Sequence, residues 1–275
     1  MTTGEKKILI AAPSFLSSFH TAVYEHLKKW FKADEVLLRS VTDEADQQKL
    51  HLEQALIKNA PRAVITISVR PDSQTISAYQ SAGVPIILID ESTAGVSTIS
   101  TDNWAGGRLA GEYLVSKGRQ RIAVVTGRTQ IKGGYNADQR LQGLKQALAA
   151  KGLTVPEGCA IEVPHYSRDD GVAAMPKLLD RKVDAIFCAA GDICATGMLA
   201  VARERRVRVP EDVAVVGYDD LIVAQISTPT LTTIKQPLAK IAEAAYKLTR
   251  ASPEELLRKP QTAVFPPELV IRRSA

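Results

Sequence analysis

The sequence is poor in cysteine and lacks a segment for export or membrane insertion. Its 275 residues include only 3 cysteines, Cys159, Cys188 and Cys194, which form no Cys-x-x-Cys pair. An odd count without redox or metal spacing indicates reduced thiols, so we expect a cytoplasmic protein. No apolar run approaches the ~20 residues of a membrane span. The N-terminus enters a predicted strand at once, without the apolar core of an export signal.

Motifs of the common enzyme classes are missing as well. There is no Gly-x-Gly-x-x-Gly, no Gly-x-x-x-x-Gly-Lys-Ser/Thr and no Gly-x-Ser-x-Gly, the signatures of dinucleotide-binding, P-loop and hydrolase sites. The 4 histidines have no metal-ligand spacing; they are His20, His26, His51 and His165. We therefore expect no enzymatic activity, no catalytic residue, no metal site and no cofactor.

The excess of positive charge is small and scattered. The net charge is +5, and 45% of the residues are hydrophobic, as in a soluble globular protein. The densest basic group is predicted at a helix end, where cations oppose the helix dipole favourably; it consists of Arg203, Arg205, Arg206 and Arg208. As a nucleic-acid footprint this group is weak.

Short apolar runs alternate with helical patterns from the first residues onward. Strands are predicted at 7–12, 35–38, 63–68 and 85–90, helices at 19–31, 43–58 and 72–82, and a further extended segment at 96–100. Strands separated by helices indicate βαβ units and a parallel sheet. This part of the chain therefore forms one doubly wound unit.

The same alternation restarts at residue 105. Helices are predicted at 105–117, 136–151, 168–179, 194–206 and 238–250, strands at 122–126, 160–163, 185–189 and 213–217, and extended segments at 231–237 and 265–272. The helix at 238–250 and the extended segment at 265–272 follow the completed second unit. They indicate that the chain crosses between lobes more than once. We predict an α/β fold of two doubly wound, Rossmann-like parallel-sheet lobes joined by several crossover strands. The predicted lobes are residues 1–102 plus 238–262 and residues 103–237 plus 263–275.

Charged residues follow the strands of the second lobe. Asp192 and Asp219 come after strand ends, where parallel sheets bind ligands, but Asp192 could equally cap the helix that follows. Asp219 could instead form a turn. Arg140 lies in the first turns of a helix, where its guanidinium offers a fork of donors to hydroxyls, a carboxylate or a phosphate. Its alternative is a surface arginine.

Three parts of the chain match the pattern of a known family in order and spacing. They are residues 100–127 (STDNWAGGRLAGEYLVSKGRQRIAVVTG), residues 138–148 (DQRLQGLKQAL), and the stretch 184–237 with PEDVAVVGYDD and PTLTTIKQP. The chain resembles the effector-binding core of LacI/GalR-type bacterial transcription regulators, which have the periplasmic binding protein-like type I fold. The similarity spans about Lys6 to Arg273.

The resemblance implies a site for a small polar effector. It makes Arg140 the effector-binding arginine, and Asp219 the acceptor for sugar hydroxyls or a purine. Asp90 could face Asp219 across a cleft, with a cap or turn as the alternative. Tyr166 and Phe19 occupy positions that line the cleft in the family, although Phe19 could simply be helix core. Sugar-binding members often have Asn before Asp192, where this chain has Gly191, so purine-type or small acidic effectors stay open.

Four further residues are weaker candidates for the same site. Ser14 could donate a hydroxyl or cap the helix that follows. Gln236 matches a family contact position, with hinge packing as the alternative. Asn136 and Arg70 are loop candidates. Arg70 is as much a candidate for a solvent-facing side chain, although a guanidinium there would suit an anionic effector.

The resemblance also implies how the protein works. An effector closes the two lobes, and the shift in population changes operator binding in a homodimer; the helix predicted at 72–82 is one candidate interface element. Family members begin with a helix-turn-helix module that this sequence lacks, so we expect a core fragment that contacts operator DNA only through that absent module, and no membrane. The alternative is a solute-binding protein for sugar uptake, which would require export.

Overall fold

The fold is described from a computed structural model that covers residues 6–13, 15, 18–41, 45–58, 60–127 and 135–275. The strands are β1 (Ile8–Ala12), β2 (Val36–Ser40), β3 (Ala63–Ile67), β4 (Ile86–Ile89), β5 (Ser97–Thr101), β6 (Ile122–Thr126), β7 (Ala160–Glu162), β8 (Ala185–Cys188), β9 (Ala214–Asp219), β10 (Thr232–Lys235), β11 (Thr262–Phe265) and β12 (Glu268–Val270). The helices are α1 (Ser18–Leu27), α2 (Ala45–Lys58), α3 (Ser73–Ser81), α4 (Asn103–Ser116), α5 (Tyr135–Ala149), α6 (Arg168–Asp180), α7 (Asp192–Glu204), α8 (Ile222–Ile226), α9 (Leu238–Arg250) and α10 (Pro253–Arg258).

Residues 1–101 and 238–265 form the first compact unit. Its sheet has 6 strands in the order β11-β5-β4-β3-β1-β2, and every pairing in it is parallel. Because side chains alternate along a strand, Ile10 packs with α1 and α9 on one face. Leu9 packs with α2 and α3 on the other face. Helices thus cover both faces of a buried parallel sheet.

Residues 102–237 and 266–275 form the second compact unit. Its sheet also has 6 strands, in the order β12-β10-β9-β8-β6-β7. All pairings are parallel except the antiparallel pair of β10 and β12. Val125 faces a core built with α6 and α7, and Val124 faces a core built with α4 and α5. The predicted fold class, two doubly wound α/β sheets, is confirmed.

The element prediction omitted two short helices. The described residues include α8 and α10, for which the sequence analysis proposed no element. Helix α10 has Ser252 as its N-cap and Pro253 in its first turn, and both residues favour the start of a helix. Its 6 residues are too few to show a helical period in the sequence. Among the described residues no helix is both long and apolar enough to cross a bilayer.

The C-terminal tail differs from the prediction. A single extended segment at 265–272 was expected, but β11 pairs with β5 of the first unit and β12 pairs with β10 of the second unit. Pro266 and Pro267 separate the two strands, and proline lacks the N–H that a continuous ladder requires. The predicted lobes ended at residues 102 and 262, whereas the compact units divide after Thr101 and Phe265.

Candidate functional site

Four neighbouring strands of the second unit end at one edge of its sheet. Strands β6, β8, β9 and β10 are parallel, so their carboxyl ends lie together. Gly127 follows β6, Ala189 follows β8, Asp219 ends β9, and Gln236 follows β10. We call this the carboxyl edge of the second unit.

Arg140 is fixed at the carboxyl edge by contacts that include Asn103, Ala189 and Tyr218. Its Nε donates to Oδ1 of Asn103 at 2.7 Å and its Nη1 to the carbonyl oxygen of Ala189 at 2.9 Å. The guanidinium lies over the ring of Tyr218, with Cζ 3.6 Å from the ring centroid. Only 7% of the residue is exposed, so the interpretation of Arg140 as a surface arginine is wrong.

Asn103 connects the polar groups around Arg140. Besides the bond from Arg140, its Oδ1 accepts a bond of 3.0 Å from the Tyr218 hydroxyl. Its Nδ2 donates to Oδ1 of Asn136 at 3.0 Å. The predicted residues Arg140 and Asn136 are therefore joined through a residue that the sequence analysis did not select. The signal was present, because Asn103 lies within the block 100–127 that carries the family resemblance.

Two glycines let helix α4 approach this network. A Cβ on Gly107 would lie 1.9 Å from the carbonyl oxygen of Arg140, and a Cβ on Gly106 would lie 2.7 Å from the hydroxyl oxygen of Tyr218. Any larger residue at either position would push α4 away from α5 and β9. The close packing of these elements keeps Asn103 within hydrogen-bond distance of Arg140.

Asp219 and Gln236 are also paired at the carboxyl edge. Nε2 of Gln236 donates to Oδ1 of Asp219 at 2.7 Å. Asp219 has φ of 107°, and Gly191 has φ of 106°. A Cβ on Gly191 would lie 2.9 Å from Oδ2 of Asp219. Glycine is thus favoured over a residue with a Cβ at position 191, because the backbone angle is left-handed and the Asp219 carboxylate lies close by.

Asp192 lies buried at the start of α7. It has no exposed surface; its Oδ1 accepts from the Thr233 hydroxyl at 2.6 Å and its Oδ2 from the Leu221 N–H at 2.8 Å. Burial raises the pKa of Asp192 well above its usual range, and the charge of Asp219 adds to this. The capping interpretation is wrong, because the N-cap of α7 is Gly191 and the carboxylate bonds to other elements.

Tyr166 stands beside the end of β6. A Cβ on Gly127 would lie 1.8 Å from the Tyr166 hydroxyl oxygen, so the ring rests directly on that glycine. Tyr166 has φ of 57°, a left-handed conformation that is uncommon for aromatic residues. The residue is 38% exposed and thus leaves an aromatic surface available near the carboxyl edge.

The first unit places Asp90 and Ser68 at the ends of two adjacent strands. Ser68 follows β3, Asp90 follows β4, and the serine hydroxyl donates to Oδ2 of Asp90 at 3.1 Å. Both residues have positive φ, 54° and 64°, in the region that favours asparagine, aspartate and glycine. The bond ties the two strand ends together. Asp90 as an effector contact stays a prediction.

Arg70 pairs with a residue that the sequence analysis missed. Its Nε lies 4.0 Å from Oε2 of Glu91, and its Nη1 lies 3.4 Å from the carbonyl oxygen of Ser92. The Glu91 residue is only 7% exposed. Burial, reinforced by the charge of Asp90 and opposed by Arg70, raises the pKa of Glu91 to about 7. Arg70 is therefore an ion-pair residue rather than a purely solvent-facing one.

The two remaining candidates lie near the start of the first unit. Phe19, in α1, is partly buried against the core that α1 forms with the sheet, and its ring meets that of His20 edge-on at 5.7 Å. The helix-core alternative thus accounts for much of its surface. Ser14 lies outside the described residues.

The chemistry of these groups suits binding of a polar solute. The carboxyl edge of the second unit combines a fixed guanidinium, a carboxylate, an amide and an aromatic ring, which are the kinds of group that bind hydroxyl groups and apolar ring faces in general. Across the described ranges, no cluster of three or more His, Cys, Asp or Glu side chains is placed to bind a metal ion. Contact of any residue with an effector stays a prediction.

Comparison with known proteins gives a consistent result. A family model for a periplasmic binding protein-like domain matches residues 112–275. The HTH-type transcriptional repressor PurR of Klebsiella pneumoniae is 29% identical over 98% of this chain and 80% of that protein. A transcriptional regulator CelR–cellobiose complex is 28% identical, with a TM-score of 0.82 over 98% of this chain and 86% of that chain.

A further likeness bears on the fold alone. The LacI family transcriptional regulator from Enterococcus faecium with bound ribose has a TM-score of 0.84, at 23% identity over 98% of each chain. This likeness covers almost the whole of both chains and supports the two-sheet fold described above.

Proposed function

This chain belongs to the family of periplasmic binding protein-like domains, and on that premise we propose that it is the effector-sensing core of a LacI/GalR-type transcriptional regulator. Proteins similar to it are transcriptional regulators. The proposed effector is a small polar solute, a sugar or a sugar-like molecule, with purines and phosphorylated sugars as further members of the class. Such a regulator works in the cytoplasm, where its operator is.

The observation that carries the proposal is the arrangement at the carboxyl edge of the second unit. Arg140 is held by contacts with Asn103, Ala189 and Tyr218 within the protein itself. A side chain fixed in this way loses little further conformational entropy on binding, so its donors are pre-organised. Asp219 and Tyr166 supply an acceptor and an aromatic face beside it. The CelR–cellobiose complex supports a sugar as the first class to test.

The proposed mechanism is a population shift. The effector contacts residues of both units, and its tighter binding to a closed form shifts the equilibrium toward that form. In a homodimer this shift changes how a helix-turn-helix module binds the operator. We propose this module for the parent protein, not for residues 1–275. Helix α3 remains a predicted part of the dimer interface. Each of these steps depends on effector binding, which is therefore tested first.

Thermal shift measurements with a defined panel test effector binding. The panel is D-ribose, D-glucose, cellobiose, a purine base, ribose 5-phosphate and glucose 6-phosphate. A ligand at 100 times its Kd stabilises the folded state by about 2.7 kcal/mol, so one member is expected to raise Tm by several degrees. Failure of every member to raise Tm would overturn the proposal.

Two variants connect binding to the site. Asp219→Asn keeps an oxygen for the bond from Gln236 but removes the charge, and we expect it to abolish most of the shift. The control is Arg108→Ala, which removes an exposed partner of Glu112 on α4 and should leave the shift unchanged. An undiminished shift in Asp219→Asn would place the effector elsewhere. Gel filtration completes the test, because a strict monomer would favour the solute-binding alternative.

A further inference from the structure

Three segments of the second unit meet at the N-terminal edge of its sheet. Residues 117–121, 180–184 and 203–212 lead from the ends of α4, α6 and α7 into β6, β8 and β9, and these three strands are neighbours in the sheet. Guanidinium groups of the first segment donate hydrogen bonds to backbone carbonyl groups of the other two. The segments therefore form one continuous surface, which we call the basic edge of the second unit.

Most of the net charge of the chain lies on the basic edge. Its 20 residues include nine basic and five acidic ones, a net charge of +4, whereas the whole chain has +5. The three helix ends add a partial negative charge of about 0.5 each, which offsets less than half of the +4. In sequence, only the arginines of 203–208 stood out, and alone they are a weak footprint. Folding places two further segments beside them.

The arginines of the basic edge are held in place without losing their charge. Nη2 of Arg119 donates to the carbonyl oxygen of Pro210 at 2.6 Å. Nη2 and Nε of Arg121 donate to the carbonyl oxygens of residues 181 and 182, at 2.7 Å and 2.9 Å. A carbonyl oxygen is uncharged, so each guanidinium keeps its full positive charge. Arg121 is also exposed, and a guanidinium has five N–H donors, so donors remain for a ligand.

Carboxylates neutralise few of these cations. Asp184 uses its two oxygens for the backbone N–H groups of residues 120 and 121. Among the described residues of the basic edge, Arg208 forms an ion pair, with Asp212. The ends of α1 and α9, at the same edge of the first unit's sheet, differ because their cations are paired with acids: Lys28 with Glu25, Lys247 with Glu243 and Arg250 with Glu35.

From this arrangement we propose that the basic edge binds the phosphate backbone of double-stranded DNA, independently of base sequence. Neighbouring strands lie about 4.8 Å apart, so the ends of β6, β8 and β9 span about 10 Å. One strand of DNA carries about three phosphates over that length of helix axis. Arginine suits such a ligand, because its planar fork of donors matches the geometry of a phosphate.

The composition of the basic edge favours duplex DNA over other polyanions. None of its 20 residues is aromatic, so it offers no ring on which unpaired bases could stack. None of them is a large hydrophobic residue exposed to solvent, as insertion into an anionic membrane requires. The inference goes beyond the proposed function, since this contact needs no effector and is additional to any helix-turn-helix module.

Fluorescence anisotropy of the whole chain with two labelled 20-base-pair duplexes of unrelated sequence tests the proposal. We expect a Kd of about 10 µM at 50 mM KCl, equal for the two duplexes within about twofold. With about three phosphates contacted, affinity should fall about 40-fold between 50 and 200 mM KCl. Absence of binding at 50 mM KCl overturns the proposal, and so does a preference of tenfold or more for one duplex.

Two double variants separate the basic edge from general attraction by positive charge. Arg203→Gln with Arg205→Gln removes two exposed cations of the edge, and we expect about tenfold weaker binding at 50 mM KCl and a shallower salt dependence. Lys145→Gln with Lys240→Gln removes two exposed cations of α5 and α9 and should change affinity by less than about twofold. Equal losses in the two double variants overturn the proposal. Tighter binding to phosphatidylglycerol vesicles than to DNA also overturns it, and effector binding is unaffected by either result.

Discussion

The guanidinium of Arg140 lies over the ring of Tyr218, with 3.6 Å between Cζ and the ring centroid. The Tyr218 hydroxyl and the Arg140 Nε both donate to Oδ1 of Asn103. The Asn103 oxygen therefore positions both the Tyr218 ring and the Arg140 guanidinium, which also contact each other. Such mutual support makes the arginine part of the fold of the second unit, as well as a candidate for contact with the effector.

Arg140→Ala should therefore destabilise the unliganded protein. The change removes the donors to Asn103 and Ala189 and the cation over Tyr218, and it leaves a cavity. Hydrogen bonds of charged groups contribute about 1.5–3 kcal/mol each, and we expect a fall of about 3 kcal/mol in the free energy of unfolding. Urea denaturation at pH 7 measures it. Arg108→Ala, on the exposed side of α4, is the control and should change stability by less than about 0.5 kcal/mol; equal losses in both variants would contradict a structural role for Arg140.

Thr233→Val tests the internal role of Asp192. Valine has nearly the shape of threonine but cannot donate to Oδ1 of Asp192, which is wholly buried. We expect the free energy of unfolding to fall by about 2 kcal/mol, because a buried acceptor loses its donor. Thr262→Val is the matched control on the exposed edge strand β11, where the Thr262 hydroxyl accepts a hydrogen bond of 3.2 Å from the Thr98 hydroxyl. A loss in the control as large as that in Thr233→Val would argue against the assigned role.

The alternation of strands and helices was predictable from sequence because it depends on short-range patterns. Runs such as Ile122–Thr126 are continuously apolar, as strands buried on both faces must be. The helix Leu238–Arg250 has a strong apolar stripe and was predicted at its observed bounds. Elements of few residues, such as α8, carry too little periodicity for the same treatment.

The details of the site depend on contacts that no local pattern reveals. Arg140 bonds to Asn103, 37 positions away in the chain. Asp192 looked like a helix cap from its neighbours in sequence, yet its acceptors are used by groups 29 and 41 positions away. Glu91 was overlooked because its burial, rather than its sequence context, distinguishes it. Only the folded sheet brings such groups together.

Glu91→Gln should stabilise the unliganded protein above neutral pH. Folding raises the pKa of this carboxyl from 4.5 to about 7, so ionisation opposes folding increasingly as pH rises from 4.5, and fully above 7. The destabilisation at pH 8 amounts to about 3 kcal/mol. Glutamine cannot ionise, and the variant should exceed the wild type by about that much at pH 8, and by less than about 1 kcal/mol at pH 5. Urea denaturation at both pH values measures the difference; equal stabilities at pH 8 would contradict the assigned burial of this carboxylate.

Gly127→Ala should weaken effector binding through Tyr166. The new methyl would lie 1.8 Å from the Tyr166 hydroxyl oxygen, so the ring must swing away, which its partial exposure allows. If Tyr166 packs on the effector, Gly127→Ala and Tyr166→Ala should each lower affinity for the sugar that stabilises the protein. In the Tyr166→Ala background the methyl meets no ring, so Gly127→Ala should then have little further effect. Additive losses in the double variant would show that Gly127 acts independently of Tyr166.

Arg206 occupies a position where glycine is more stable than alanine. It follows the C-cap of α7 with φ of 58°, as Gly118 follows the C-cap of α4 with φ of 78°. A left-handed backbone conformation costs a residue with a Cβ about 1 kcal/mol or more. We therefore expect the free energy of unfolding of Arg206→Gly to be about 1 kcal/mol higher than that of Arg206→Ala. Both variants lose the same charge, and the difference therefore isolates the backbone. At Arg203, within the last turn of α7, the order should reverse by a similar amount, because glycine is a poor helix former. Urea denaturation of the four variants measures both differences, and the same sign at both positions would contradict the left-handed conformation of Arg206.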